Sequence, residues 1–399
     1  MRPVRVLVHL NNLALGGAQL NAVDIARTLR DRGHDPVLFA QGVDGPAPLV
    51  DVAAGHGLDV VVAGGPDTPH SEVRRRLGRL AAEHGSQLLH AWEVRAARNS
   101  YFGPGRYGRI PVVTTFYGIR MLRGLPRHQP LVLGLGALLG DGRAFGHRDV
   151  SLIEPPVNTA TDAPGLVDGT AFRRQHGIRD DELLLAIVTR LVPALEKDAG
   201  AELTVDAVRE LDDPRVRLVI VGTGPSLEPL RARAAAVNEA LGRPAVLVPG
   251  QLADPRPAYQ GADIVLGMGG SALRGLAFGK PLVVHGAAGY TAVHEPGPLV
   301  EPHASRCMYG FGDGSRAPEG LAAQLRGLLD DPARRAELGA WGREWVVGRF
   351  SLESVTGSFE EIYARVLARP GRAVGWLKDL EQMTRYEFTK PTALRLLGR

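Results

Sequence analysis

A glycine-rich turn between two apolar runs is the part of this sequence best suited to bind an anion. Gly269 and Gly270 follow the first run, Ser271 is placed to cap the helical segment after it, and Gly279 is placed to end that helix. The free N–H groups and the positive end of such a helix favour a phosphate or diphosphate. Arg274, three residues after Ser271, would add a positive charge. The turn therefore predicts an anion site, although a buried strand–helix–strand crossover whose glycines only permit close packing has the same pattern.

The elements that would hold this turn alternate between strand and helix patterns in two series. In the first series, strands are expected at Val4–Leu10, Pro36–Ala40, Val60–Ala63, Leu88–Trp92, Val112–Tyr117 and Val150–Glu154. In the second series, strands are expected at Leu183–Val188, Val216–Val221, Ala245–Val248, Ile264–Leu266 and Leu282–Val284. Apolar runs of this length are typical of strands buried on both faces of a parallel sheet. The alternation predicts an α/β protein with two doubly wound, Rossmann-like domains.

The expected domain boundaries lie where this alternation is interrupted. Residues 118–149 break into Gly, Pro, Arg and short apolar pieces, and Pro155–Gly165 is typical of a linker. We therefore expect one domain at residues 1–158 and a second at residues 170–350. Residues 351–399 hold a last helix and a basic, partly apolar tail.

Composition and charge argue against several classes of function. The 399 residues carry a formal net charge of +4, and their arginines are scattered among acids, which argues against nucleic-acid binding. Cys307 is the only cysteine, so the chain forms no intramolecular disulfide and no cysteine-based metal site. The longest apolar run, Leu131–Leu139, is too short to span a bilayer, and Met1–Pro3 leads directly into a strand pattern without a signal peptide. We expect a cytoplasmic protein without stable membrane insertion.

The order and spacing of several short motifs resemble the retaining nucleotide-sugar glycosyltransferases of family four. Proteins of that family have the GT-B architecture, in which two Rossmann-like domains face each other across a cleft. In the second half of the chain, the similar motifs are Val188–Lys197 (VTRLVPALEK), Val219–Pro225 (VIVGTGP), Val248–Tyr259 and Gly279–Pro281 (GKP). In the first half, they are the loop Gly16–Gln19 (GGAQ) and the strand Pro111–Gly118.

The resemblance implies a role for each domain and for particular residues. Residues 1–158 would bind an acceptor, residues 170–350 would bind a sugar activated by UDP, GDP or dTDP, and the helix after residue 351 would cross back to the first domain. An Arg and a Lys stabilise the leaving diphosphate in that family without metal, and the matching residues are Arg190 and Lys197. The further donor contacts that it implies are Gly16, Gly17, Gly222, Gly224, Gly250, Gln251, Leu252, Gly269, Gly270, Ser271 and Arg274. It implies no metal ion and no cofactor besides the donor substrate.

Two departures from the family pattern concern the donor. Ala194 and Leu195 are inserted between Arg190 and Lys197. Arg274 stands where relatives have a glutamate that holds the ribose hydroxyls. Three consequences stay open: a deoxynucleotide donor such as a dTDP-sugar, a donor site that depends on the diphosphate alone, or loss of ordinary donor binding.

A third departure concerns the reacting carbon. Tyr117 stands where the family has a histidine that contacts the donor sugar. A tyrosine donates a hydrogen bond but is a poor general base at neutral pH. Because the departing phosphate can accept the proton in retaining transfer, Tyr117 is compatible with catalysis. Strand topology places His90 and Glu93 toward the same cleft, and we expect both in acceptor binding, although a histidine at a strand end is as often structural.

The leading hypothesis is a metal-independent, retaining glycosyltransferase that acts on a small-molecule acceptor in bacterial specialised-metabolite or antibiotic biosynthesis. Two alternatives stay open: a pseudo-glycosyltransferase that joins a nitrogen or carbon centre, and a non-catalytic partner that retains the fold. Family members usually have two glutamates before the GKP motif, one near the sugar and one at the ribose, and the lack of both here favours the non-catalytic partner. Arg190, Lys197 and the glycine turns oppose it. An NAD-dependent oxidoreductase is set aside because neither half has GxGxxG followed by an acid about 20 residues later. The oligomeric state, monomer or homodimer, stays open.

Overall fold

Two mainly parallel sheets, one in each unit of the chain, organise the computed structural model. It describes residues 2–122, 124–193, 196–297, 310, 312–315, 317–368 and 373–389. One unit comprises Met1–Pro155 and Leu352–Arg399, and the other comprises Pro156–Ser351. The predicted α/β class with two doubly wound domains is confirmed. Cys307, Ala194 and Leu195 lie outside the described residues.

In the first unit, strands and helices alternate before two helices complete it. Its strands are β1 (Arg5–His9), β2 (Asp35–Ala40), β3 (Val60–Val62), β4 (Leu88–Trp92), β5 (Val112–Phe116), β6 (Leu131–Leu133) and β7 (Val150–Leu152). Its helices between the strands are α1 (Gly17–Asp31), α2 (Pro48–Gly55), α3 (His70–Glu83), α4 (Glu93–Phe102) and α5 (Leu138–Ala144). Its described strands pair in parallel in the order β3-β2-β1-β4-β5-β6-β7. The carboxyl ends of the strands therefore share one edge, which is where α/β proteins bind ligands.

The second unit has the same alternation. Its strands are β8 (Leu183–Val188), β9 (Val216–Val221), β10 (Val246–Gly250), β11 (Ile264–Gly267), β12 (Leu282–His285) and β13 (Thr291–Val293). Its helices are α6 (Gly169–Gln175), α7 (Lys197–Leu211), α8 (Leu227–Leu241), α9 (Arg256–Gly261), α10 (Gly270–Ala277), α11 (Pro318–Leu329) and α12 (Pro332–Phe350). Its described strands have the order β10-β9-β8-β11-β12-β13, with only β13 antiparallel to its neighbour.

The two final helices, α13 (Leu352–Leu367) and α14 (Ala373–Thr389), belong to the first unit. On α13 the buried residues recur at helical spacing, and Phe359 and Tyr363 are fully buried against the sheet. Burying a side chain such as Phe359 contributes about 1.5–3 kcal/mol relative to leaving it exposed. The apolar stripe of α13 is therefore a principal reason why this helix packs on the first unit.

The structure adds elements to the tail and to residues 118–149 that the sequence pattern did not predict. The sequence showed the tail only as basic and partly apolar, whereas α14 lies within it and packs on the first unit through Trp376 and Asp379. Trp376 Nε1 donates to the Tyr101 carbonyl at 3.0 Å, and the fully buried Asp379 accepts from the N–H of His128 at 3.0 Å. Residues 118–149 contain β6 and α5, which the sequence pattern did not predict because the glycines obscure the periodic spacing of apolar residues in both elements.

None of the helices in the described chain is both long enough and apolar enough to cross a membrane.

Candidate active site

The glycine turn of the second unit is hydrogen-bonded to the end of the neighbouring strand, β8. Strands β8 and β11 pair in parallel, so their carboxyl ends lie side by side. The Ser271 hydroxyl donates to the carbonyl of Val188, the last residue of β8, and lies 3.0 Å from the Tyr259 hydroxyl. The turn after β11 is therefore held directly beside the loop that carries Arg190.

The helix after this turn begins two residues earlier than expected. Gly269 occupies the cap position with φ of 55°, and α10 begins at Gly270, so the prediction of Ser271 as the cap is wrong. The Ser271 hydroxyl is unsuited to capping here because it bonds to the end of β8. Gly270 is exposed and has open space where a side chain would start. Gly279, with φ of 69°, ends the helix as predicted.

Two cations lie near each other beyond β8. Arg190 is exposed two residues after the strand, and Lys197 is the half-buried first residue of α7. Burial lowers the pKa of Lys197, and the charge of Arg190 lowers it further. Within the described part of the chain, neither side chain has an ion pair or a hydrogen bond. Two neighbouring cations without a carboxylate partner favour the binding of a multiply charged anion.

Gly222 and Gly224 bring the loop after β9 into close contact with the Arg190 loop. A Cβ at Gly222 would overlap the carbonyl oxygen of Thr189, and one at Gly224 would overlap that of Leu191. Their φ angles of 153° and 151° also favour glycine. We infer that these two glycines position Arg190 through the backbone, which is a different role from the direct donor contact that the sequence implied.

The last residue of β10 and the two residues after it are among those that the resemblance implied for the donor. Gly250 has φ of 95°, a conformation that favours glycine. Gln251 is exposed, and Leu252 is half-buried against a small apolar cluster that includes Phe172. Gln251 therefore has a side chain available to a ligand, while Leu252 also packs within the unit.

The diphosphate contact expected for Arg274 requires correction. Arg274 Nε donates to Asp162 Oδ2 at 2.9 Å, and the Asp162 side chain is only 6% exposed. Burial raises the pKa of Asp162, whereas the neighbouring Arg274 opposes this effect. Because a buried carboxylate already pairs with this guanidinium, we assign Arg274 to structural charge pairing rather than to the donor phosphates.

His285 lies close to Lys197, and the sequence analysis did not identify it. It is the last residue of β12 and is fully buried, and a Cβ at Gly200 would lie 2.5 Å from its Nδ1. Burial lowers the pKa of His285 to about 4, and the charge of Lys197 acts in the same direction. The only sequence signal is a histidine directly after an apolar strand, which does not reveal its neighbours.

In the first unit, Glu93 and Tyr117 meet at the carboxyl edge of the sheet. Each directly follows a strand, and the Tyr117 N–H donates to Glu93 Oε1 at 2.9 Å. Glu93 has φ of 71°, a strained conformation for a residue with a side chain. Burial raises the pKa of Glu93, although the hydrogen bond from Tyr117 acts in the opposite direction. The structure thus brings together a strained acid and the tyrosine that replaces the family's histidine.

The Tyr117 side chain packs edge-on against Trp92, with ring centroids 5.4 Å apart. Its hydroxyl is buried and has no hydrogen-bond partner among the described residues. Burial raises the pKa of Tyr117, and the charges of Glu154 and Glu93 raise it further. The buried Glu154 was missed as a site residue because it looked like the end of a strand. At neutral pH the tyrosine is protonated and serves as a hydrogen-bond donor rather than a base.

His90 does not reach the edge of the sheet, so its expected role in acceptor binding is wrong. Its ring is fully buried, 2.6 Å from the Tyr363 hydroxyl through Nδ1 and 2.8 Å from the Thr115 hydroxyl through Nε2. Burial lowers the pKa of His90 to about 3. The His90 side chain faces α13 because that helix covers this side of β4. The hydrogen bond from His90 to Tyr363 therefore links the helix to the sheet.

Gly16 and Gly17 lie at the start of α1. Gly16 is the cap residue, and the helix begins at Gly17, around which there is open space. Asn12 accepts from Gln19 Nε2 at 3.1 Å and so holds the loop before the helix. This helix start resembles the one at Gly270 in leaving backbone N–H groups accessible to an anion. Among the described residues, no group of three or more His, Cys, Asp or Glu side chains could hold a metal ion.

Sequence comparisons decide the family. The profile described as Glycosyltransferase Family 4 matches residues 15–137, and that described as Glycosyl transferases group 1 matches residues 183–331. The chain therefore carries a Glycosyltransferase Family 4 domain and a Glycosyl transferases group 1 domain, and it is a glycosyltransferase. This glycosyltransferase is 24% identical over 378 residues to the lipopolysaccharide core biosynthesis glycosyltransferase LpsD of Rhizobium meliloti, covering 91% of this chain and 99% of the relative. It is 28% identical over 414 residues to a D-inositol 3-phosphate glycosyltransferase of Thermobispora bispora, covering 90% and 92%.

Solved structures identify the fold of this glycosyltransferase as GT-B. A glycosyltransferase from Rickettsia africae superposes with a TM-score of 0.73 at 14% identity, covering 92% of this chain and 99% of that chain. Anabaena HepE in complex with UDP superposes with a TM-score of 0.70 at 17% identity, covering 90% and 100%. At these identities the similarity concerns the fold alone.

Proposed function

We propose that this glycosyltransferase moves a sugar from a nucleotide-diphosphate donor to a small acceptor, with retention of configuration and without a metal ion. Arg190 and Lys197 stabilise the leaving diphosphate, with the accessible N–H groups at Gly270 beside them. We assign to Glu93 a contact with the acceptor hydroxyl and to Tyr117 a contact with the donor sugar. The retained anomeric configuration follows from transfer on one face of the sugar, in which the leaving phosphate takes the acceptor proton.

The proposal depends mainly on Arg190 and Lys197, which form no ion pair with any of the described residues. Burial lowers the pKa of Lys197 and the charge of Arg190 lowers it further, so an anion that binds beside both cations would relieve their repulsion. As the bond from sugar to phosphate breaks, negative charge develops on the diphosphate. Charges that are already in place then stabilise the transition state without reorganising.

The nucleotide of the donor is proposed from the structural neighbours and from the residue at position 274. Solved complexes of HepE contain UDP and UDP-glucose, so a uridine donor is the first to test. The family's ribose-holding glutamate is absent, and Arg274, which occupies its position, pairs with Asp162. We therefore expect weak discrimination at the ribose 2′ position and tolerance of dTDP-sugars. The fold supports no choice of sugar.

The experiment is a donor panel of UDP-, GDP- and dTDP-sugars, with the release of nucleoside diphosphate and the mass of the product measured together. The anomeric configuration of the product, read by NMR, tests retention. Binding of UDP should raise the unfolding temperature, because a ligand that binds only the folded state stabilises it. Absence of both nucleotide binding and sugar transfer across the panel would contradict the proposal.

The metabolic setting is a prediction that the relatives do not favour. They are named for lipopolysaccharide core, D-inositol 3-phosphate and phosphatidylinositol monomannoside chemistry, not for antibiotics. A role in specialised metabolism, a cytoplasmic location and a homodimer all stay predictions. Sedimentation and analysis of the products made in cells that express the protein would test them.

A further inference from the structure

Lys197, the first residue of α7, lies between two acids that bind other groups. Asp198 Oδ2 accepts from the Ser226 hydroxyl at 2.6 Å. Glu196 Oε2 accepts from the N–H of Ala288 at 3.1 Å. Lys197 itself forms no ion pair with any of the described residues. Both neighbouring carboxylates therefore hold the start of α7 in place, and neither of them neutralises the amine between them.

The hydrogen bond between Glu196 and Ala288 joins two strained residues. Glu196 has φ of 51° and Ala288 has φ of 54°, a left-handed conformation that favours glycine. They are two of the five residues other than glycine that have positive φ in the part of the chain that the structure describes. Backbone strain of this kind persists only where the surrounding contacts impose it, and it clusters at functional sites. This contact therefore holds two backbone segments in conformations that neither residue type favours alone.

The loop that contains Ala288 is itself closed by hydrogen bonds. It comprises residues 286–290 and follows β12 directly. The Gly286 N–H donates to the Tyr290 carbonyl at 2.8 Å, and the Ala288 carbonyl accepts from the Gly314 N–H at 3.0 Å. The N–H that binds Glu196 therefore belongs to a segment that is held in place by contacts of its own.

The end of β12 contacts α7 a second time, one turn beyond Lys197. Gly200 lies three residues after Lys197 and so on the same face of the helix. A Cβ at Gly200 would lie 2.5 Å from Nδ1 of His285, which is fully buried and is the last residue of β12. The contacts at Glu196 and Gly200 thus lie on either side of Lys197 along α7, and both are made by residues 285–288.

We propose that Glu196 is a positioning residue, whose hydrogen bond to Ala288 holds the start of α7 and so directs the amine of Lys197 toward the leaving diphosphate. This inference rests on the proposed function, because it concerns how the charge at that same site is placed. Glu196 acts through Lys197 and not on the substrate itself. Since the diphosphate gains negative charge as its bond to the sugar breaks, a displaced amine costs more in the transition state than in the bound donor.

Two substitutions separate the hydrogen bond of Glu196 from its charge. Glu196→Gln keeps an oxygen that accepts from Ala288, so its kcat should stay within about threefold of the wild-type value. Glu196→Ala loses the acceptor, so kcat should fall at least about tenfold while the KM for the donor changes less than about threefold. Glu210→Ala is the matched control, because it removes a carboxylate about 20 Å further along α7, where Glu210 pairs with Arg209.

Glu196→Gly tests whether Glu196 serves folding alone. Glycine adopts φ of 51° without strain, so this variant should unfold at a urea concentration no lower than that of Glu196→Ala. Its kcat should nevertheless be as low, because glycine also lacks the acceptor for Ala288. A kcat that recovers in Glu196→Gly would overturn the proposal, since the strain and not the hydrogen bond would then explain the loss.

A measurement on Lys197 itself does not depend on turnover. The chain has four lysines, Lys197, Lys280, Lys378 and Lys390. Reductive methylation with carbon-13 therefore gives few NMR signals, and Lys197→Arg assigns one of them to Lys197. Burial lowers the pKa of Lys197, and the charge of Arg190 lowers it further. We expect a higher pKa in Glu196→Ala than in Glu196→Gln, because both lack the charge of Glu196 but only the first releases the amine into solvent.

This titration distinguishes failure of the inference from failure of the proposed function. When no nucleotide sugar in the donor panel is turned over, the proposed function fails, and the titration of Lys197 still decides the role of Glu196. A higher pKa of Lys197 in Glu196→Ala than in Glu196→Gln supports the positioning role. The role is overturned when Lys197 titrates identically in these two variants, or when both variants have the same kcat.

Discussion

Gly134 lies directly against the ring of Tyr117 in the first unit. A Cβ at Gly134 would collide with the Tyr117 atom Cδ1 and would lie 2.9 Å from Cε1. Gly134 follows β6, and Tyr117 follows the neighbouring strand β5. A tyrosine ring fits at this edge because residue 134 has no side chain. The replacement of the family's histidine by Tyr117 therefore depends on a second position elsewhere in the chain.

Gly134→Ala should displace the Tyr117 ring. We expect a loss of about 1–3 kcal/mol in the free energy of unfolding, because an added methyl group overpacks the site. Turnover should fall as well, since the ring and its N–H contact with Glu93 are disturbed. The control is Gly140→Ala in α5, where nothing lies near the added methyl and the change should stabilise by about 0.5–1 kcal/mol. Equal stability of the two variants would show that the ring has room to move.

Arg190→Ala should lower kcat at least about a hundredfold, as expected when a preorganised charge on a leaving group is removed. Arg209→Ala is the control, since Arg209 is an exposed arginine on α7 that contacts only Glu210 among the described residues. Steady-state kinetics with saturating donor measure the effect. A folded Arg190→Ala protein with near-wild-type turnover would remove Arg190 from the donor site.

Arg274→Ala should lower stability and leave nucleotide affinity unchanged. The substitution deprives the buried Asp162 of its charged partner, which we expect to cost about 1–3 kcal/mol. Denaturant unfolding measures the first effect, and calorimetry with UDP and dTDP measures the second. A tenfold loss of affinity for both nucleotides would restore the contact with the diphosphate that the sequence alone suggested.

Acid should destabilise the first unit through its buried histidines. Burial lowers the pKa values of His9 and His90 to about 3, below the unfolded value of about 6.5. The unfolded chain then binds more protons, so stability is complete above pH 6.5 and falls as the pH drops toward 3. Each histidine contributes a slope of up to about 1.4 kcal/mol per pH unit.

Replacing His90 with Gln should make the loss of folding stability with falling pH less steep, because the side chain at position 90 no longer takes up a proton on unfolding. His56→Gln is the control, since the His56 side chain is one-third exposed. Urea unfolding at pH values between 7 and 4.5 gives the slopes. Identical slopes for wild type and His90→Gln would mean that His90 is protonated in the folded protein.

Activity should survive EDTA. Asp263, which directly precedes β11, pairs with Arg173, and Asp162 pairs with Arg274 on the helix after the glycine turn, so both acids are already engaged. The sequence has no DxD triplet, which leaves Mg²⁺ with few oxygen ligands near the diphosphate. The rate after chelation should stay within about twofold of the untreated rate, as Arg190 and Lys197 supply the charge. Loss of activity that returns with added Mg²⁺ or Mn²⁺ would show that a metal replaces them.

The sequence by itself determined the class of the fold, and it predicts where an anion binds. Apolar runs and helical spacing indicate which residues along the chain are buried. This pattern alone predicts alternating strands and helices in two series. Glycines with positive φ, such as Gly279, could also be placed, because the conformation they permit is a local property. Arg190 and Lys197 were found from motif spacing, which places them after a strand and at the start of a helix.

Only the tertiary structure decided which partners the side chains have. His90 looked like an edge residue, but its partner Tyr363 lies 273 positions later, on a helix that covers that face of the strand. Arg274 looked like a phosphate ligand, but Asp162, 112 positions earlier, pairs with it. Local periodicity reports burial and element type, whereas a hydrogen bond or ion pair depends on which distant segment packs there.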